Sequence, residues 1–71
     1  MNQYPAKLTK YLNTLDVEKR HVKEHLYQHA YEQALEHEFQ SARFWAMRQV
    51  VAGLTLAQIE QKIHLRIKKK R

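Results

Sequence analysis

Apolar residues recur along this chain at helical spacing, and they divide it into successive helices. Leu8, Tyr11, Leu12 and Leu15 fall at i, i+3, i+4 and i+7, with Pro5 placed for a first turn, so the pattern predicts a short N-terminal helix docked as a lid. Asn13, Thr14 and Asp16 then supply cap-type side chains. Either Thr14 or Asp16 is suited to open the next helix, with Glu18 in its first turn. From Asp16 to Ala52 there is neither glycine nor proline, and good helix formers fill most positions. As one rod this stretch would run about 55 Å at about 1.5 Å per residue, too long for a compact monomer. The apolar positions also step mainly by four: Val22, Leu26, Ala30, Ala34; Tyr27, Tyr31, Leu35, Phe39; Ala42, Ala46, Val50. A step of four overruns the 3.6-residue repeat, so the stripe walks around the helix and its two ends face different neighbours, unlike the seam of a coiled coil. One helix with a partner or two helices both satisfy residues 16–52. The preferred break lies near His37 to Ser41, with Ser41 capping a separate helix that ends at Gly53.

Gly53, the only glycine, sits where a residue of positive φ is wanted after a helix. Thr55-x-x-Gln58 reads as a capping box, and Leu54 with Ile59 as a hydrophobic staple, so a new helix opens there. Leu56, Ile59, Ile63 and Ile67 share its inner face, while Gln58, Gln61, Leu65 and Lys68 point away. Residues 63–68 also alternate with period two, which leaves a short strand as the competing reading. The run from Lys68 to Arg71 is expected to fray.

Glycine, an apolar residue, a hydroxyl cap and an isoleucine six residues after the glycine resemble the second half of a helix-turn-helix, a motif found in unrelated families. The resemblance covers about twenty residues. What it implies is a DNA-reading corner. Gln49 stands four before Gly53, where that motif usually has a small residue, and so crowds the crossing of the two helices.

Charge placement adds to this picture. The 71 residues carry a net +6, distributed unevenly. Residues 16–42 hold six acids against Lys19, Arg20 and Lys23, whereas from 43 onward Glu60 alone opposes eight basic residues. A polyanion would therefore meet the C-terminal half. In a DNA complex, Gln58 and Gln61 would face the groove and Thr55 would reach a phosphate or base. Arg48, Lys62, Arg66, Lys68, Lys69, Lys70 and Arg71 would contact phosphates, and Glu60 would oppose them. RNA answers the same charge argument.

Other chemistries fare less well. His21, His25 and His29 lie four apart on one helical face, the spacing of a two-histidine metal site, but about 12 Å separates the outer pair, so one ion could take only two of them. A histidine-rich polar face is the simpler reading, and no cofactor is expected. His37-Glu38-Phe39-Gln40-Ser41 begins like a zinc-protease HExxH motif but has Ser41 in place of the second histidine. There is no cysteine and Ser41 is the only serine, so neither disulfides nor nucleophilic catalysis is indicated, and no enzyme is expected. The absence of cysteine suits a reducing, cytoplasmic setting. The longest apolar run, Phe44 to Met47, is far below the ~20 residues of a membrane span, and residues 1–12 lack the apolar core of a signal peptide.

A chain this short buries only roughly 60% of its unfolded surface, and association is one remedy. Phe44 and Trp45, with Leu65, are the expected subunit or partner contacts, since several faces of one helix are aromatic. The sequence thus predicts a single all-α domain over 1–71, of three or four helices with a helix-turn-helix-like corner at Gly53. It is expected to be a homodimer that binds DNA and modulates transcription, with no small-molecule substrate and no membrane partner. The competing expectation is a protein-binding modulator acting through Phe44 and Trp45 or through the acidic, histidine-rich segment.

Overall fold

The computed structural model describes residues 4–69, and among them every regular element is a helix. The order is α1 (Ala6–Leu12), α2 (Val17–Glu36), α3 (Ala42–Val51) and α4 (Leu56–Lys69). The region from 16 to 52 is therefore two helices, and 63–68 is helical, not a strand. Lys68 and Lys69 belong to α4 instead of a frayed tail, while Lys70 and Arg71 lie outside the described residues.

Local chemistry accounts for each boundary. Pro5 precedes α1, and Leu8 and Leu12 are its buried residues. Asp16, not Thr14, caps α2: its carboxylate accepts the Lys19 backbone N–H at 2.9 Å, while the Thr14 hydroxyl turns back to donate to the Tyr11 carbonyl. Arg20 ties the first two helices together by donating to the carbonyl of Leu12 at the end of α1 and to that of Leu15 in the connection that follows. A guanidinium there satisfies acceptors that a helix end leaves without intrahelical partners.

The ends of α2 and α3 are built alike. Phe39 N–H bonds the Ala34 carbonyl and Glu38 N–H bonds that of Leu35; fifteen residues on, Leu54 N–H bonds Gln49 and Gly53 N–H bonds Val50. Both are Schellman motifs, whose pivot residue takes positive φ. Gly53 does so at φ 86°, but the first motif places Glu38 at φ 59°. Ser41, also left-handed at φ 54°, makes no side-chain cap to α3, contrary to its expected role. Gly53→Ala should therefore destabilise by about 1 kcal/mol through backbone strain alone, since an added Cβ would meet nothing within 4 Å. Glu38→Gly should act oppositely, raising stability by about 0.5–1 kcal/mol. Urea midpoints that move in the same direction for both would refute this account.

The core is organised around α3, which packs on both α1 and α2. Ala42, Trp45, Ala46, Met47, Gln49 and Val50 are all buried, more than half of its circumference. On α2 the buried residues are Tyr27, Ala30 and Ala34, and alanines on both helices suit a close crossing. The stripe stepping by four walks off this face at both ends, leaving Val22 and Leu35 exposed. Aromatic edges knit the rest: Tyr4 meets Tyr27 and Phe39 meets Trp45, each with ring centroids 5.1 Å apart and near-perpendicular planes. Burial raises the pKa of the Tyr27 hydroxyl, with Tyr31 and Tyr4 adding to the effect and Arg43 opposing it. Trp45, expected at a partner surface, is 5% exposed and belongs to this core.

Candidate nucleic-acid interface

The corner at Gly53 positions α4. Thr55 and Gln58 form the capping box reciprocally: the Thr55 N–H donates to the Gln58 side-chain carbonyl at 2.9 Å, and the Gln58 N–H donates to the Thr55 hydroxyl at 3.2 Å. Leu54 packs against the core and Ile59 is fully buried. Gln49 leaves the turn itself intact, but beyond it α3 and α4 make little contact with each other, and α4 packs on α2 instead. The Gln49 side chain lies folded along α3 and donates to the Trp45 carbonyl at 3.0 Å, so a buried amide is satisfied locally.

From this start α4 runs against α2 with Ile59 and Ile63 buried and Ile67 partly so. Two polar contacts flank that apolar line. Glu60 is bonded to His29 of α2, and the Arg66 guanidinium lies 4.4 Å from the centre of the Phe39 ring. Neither contact has a sequence signal, since each joins residues far apart in the chain. Their effect on the surface is direct. The one carboxylate of α4 is drawn to the α2 side, and the outward face carries Gln58, Gln61, Lys62, Leu65 and Lys68, all exposed.

The structure does not bring all of the expected contact residues to one surface. Gln61, Lys62 and Lys68 share one exposed helical surface with Leu65, which is 53% exposed at its centre. Thr55 and Gln58 are exposed but engaged in the cap, and Arg66 is held over Phe39. Arg48 stands on another helix, in an exposed stripe of α3 with Phe44 and Val51 at i, i+4, i+7 spacing. Lys69 closes α4, and Lys70 and Arg71 lie beyond the described residues.

The histidines do not gather at one point. His21 Nδ1 is 3.7 Å from Glu24, His29 is bonded to Glu60, and His25 lines a groove beside Leu26. Among the described residues no group of three or more histidine and carboxylate side chains is arranged to hold a metal ion, and no helix is long and apolar enough to cross a membrane. Phe44, at 48% exposure, and Leu35 border a shallow depression of about 270 Å³ between the end of α2 and the start of α3. Comparison with protein-family models, with curated proteins and with solved structures finds no match.

Proposed function

We propose that this protein is a small, non-enzymatic DNA-binding accessory of the cytoplasm that modulates transcription. In this reading α3, the Gly53 turn and α4 act as a helix-turn-helix, with α4 as the groove helix. The observation that carries it is the outward face of α4: Gln61, Lys62, Leu65 and Lys68 are exposed along one side, while Glu60 is occupied by His29. A helix presenting cations and a glutamine without an opposing carboxylate suits a phosphate-lined groove. Gln61 is the base-reading residue in this scheme. Leu65 lies where an apolar side chain can meet a thymine methyl, so its exposure is consistent with the same surface. Lys62 and Lys68 fix position on the backbone, and Thr55 and Gln58 hold the start of the helix.

A homodimer belongs to this proposal, since paired half-sites need a twofold protein. Phe44 and Leu35, the exposed apolar pair beside Tyr31, are the contact assigned to it. That same pair supports the alternative of a protein-binding modulator, in which a different protein covers it. Titration of duplex DNA and of single-stranded RNA across a salt series separates the readings. Duplex affinity should fall steeply with salt; preference for RNA would redirect the proposal to an RNA-associated factor, and salt-independent or absent binding to both would end it.

A further inference from the structure

The main helix pairings are α2 with α3, α1 with α3, α2 with α4 and α1 with α2, and all but the last cross the connection between α2 and α3. The half made of α3 and α4 therefore has little core of its own. It is docked on the half made of α1 and α2 through a hinge of residues 37–41. That hinge is closed under strain. Glu38 and Ser41 stand at φ 59° and 54°, a left-handed backbone that glycine adopts freely and other residues resist. Composition does not force the bend either: from Asp16 to Ala52 there is neither glycine nor proline, and Glu38 and Gln40 are good helix formers.

We propose that the hinge opens into one continuous helix from α2 to α3, and that two chains exchange halves, the α3 and α4 of each docking on the α1 and α2 of the other. The three pairings that cross the hinge are then kept, but between chains instead of within one. Opening returns Glu38 and Ser41 to right-handed helical backbone, which is why short strained hinges invite exchange. The straightened helix has a coherent face. Tyr31, Leu35, Phe39, Ala42, Ala46 and Val50 follow one another by four or three residues and cover about 100° of its circumference. Leu35, 53% exposed in the closed chain, falls in line with Phe39 and Ala42, where two such helices crossing at the hinge give it an apolar neighbour. What is given up is local. The bonds from Phe39 to Ala34 and from Glu38 to Leu35 are replaced by those of the helix, and the Phe39 ring leaves Trp45 of its own chain. Exchange stands apart from the nucleic-acid reading and from the surface dimer assigned to Leu35 and Phe44, which joins two closed chains.

The test refolds the full chain from urea at millimolar concentration, where a second copy competes with closure of the hinge, and resolves the products by size-exclusion chromatography with light scattering. The wild-type chain should yield a dimer that dilute refolding does not. Glu38→Gly combined with Ser41→Gly relieves the closed hinge and weakens the open helix, so after equilibration in sub-denaturing urea it should raise the dimer dissociation constant by about a hundredfold or more. Glu38→Val should lower that constant, since a β-branched residue resists positive φ but is tolerated in a helix. Exchange itself is read with cysteines, of which the chain has none. His29→Cys combined with Glu60→Cys replaces two side chains that meet between α2 and α4. A short bifunctional thiol crosslinker should join them within one chain in the monomer and between chains in the dimer, giving a covalent dimer on a denaturing gel. A dimer whose crosslinks stay within each chain joins closed copies and overturns the proposal. So does a glycine variant that dimerises as well as the wild type, or the absence of a dimer from both the wild type and Glu38→Val.

Discussion

Ile59→Ala should lower the unfolding free energy by about 3 kcal/mol, the middle of the range for truncating a fully buried isoleucine. For 71 residues, a stability of roughly 0.05–0.15 kcal/mol per residue amounts to about 4–11 kcal/mol in total, so this loss is a large share. Its location makes it informative. α4 meets the rest of the molecule mainly through α2, with Ile59 and Ile63 as its buried anchors and Ile67 partly covered. The polar ties are weaker. His29 and Glu60 are 38% and 49% exposed, and pairs so open to solvent contribute about 0–1 kcal/mol. Apolar burial therefore decides whether α4 stays docked. Once undocked, a helix of 14 residues is marginal in water. In the variant, the far-ultraviolet dichroism midpoint should fall below the Trp45 fluorescence midpoint, because Trp45 packs on Phe39 in the region of α2 and α3. Coincident midpoints with a loss under about 1 kcal/mol would show that α4 does not depend on this anchor.

The same contrast between local and tertiary causes explains what the sequence could reveal. The corner at Gly53 is legible because its determinants are neighbours: a glycine and a capping box within six residues, both present in the structure. The leucine stripe of α1 and the break between α2 and α3 are legible too, the latter from length alone. The form of that break is not. Neither glutamate nor serine signals a positive φ, yet Glu38 and Ser41 adopt left-handed backbone on either side of the buried Phe39. Trp45 is misplaced by periodicity because a helix packed on two neighbours buries more than a single stripe, and periodicity cannot count neighbours. The pairing of Glu60 with His29 lies beyond reach for a similar reason, as residues 31 positions apart leave no local pattern.

That pairing also changes how the outward face of α4 should be tested. In the sequence Glu60 stands as an obstacle to a polyanion, but its placement beside α2 leaves Lys62 and Lys68 on the exposed side. Arg66 is a poor probe, since removing it would disturb its packing over Phe39 as well as any phosphate interaction. Thr55 and Gln58 are poor probes as well, because removing a capping interaction costs about 0.5–2 kcal/mol of stability whatever the ligand.

Lys62→Gln combined with Lys68→Gln is accordingly the decisive variant, and it should reduce duplex DNA affinity by about tenfold or more at physiological salt. Each lysine that contacts a phosphate releases a counterion, so removing two should flatten the slope of log affinity against log salt by about 2. Both side chains are exposed on the helix, so thermal stability should stay within about 0.5 kcal/mol. Lys7→Gln combined with Lys10→Gln on α1 removes the same charge from another helix. If binding followed net charge alone, that control would shift affinity and slope equally. Under the α4 reading it should shift the slope by much less. Gln61→Ala supplies the remaining distinction: without its hydrogen bonds to a base edge, binding should weaken by about 1–3 kcal/mol on a preferred sequence and little on random duplex, with the salt slope unchanged. A slope that flattens for the α1 pair as much as for the α4 pair would remove α4 from the interface, whatever the affinity of the wild-type chain.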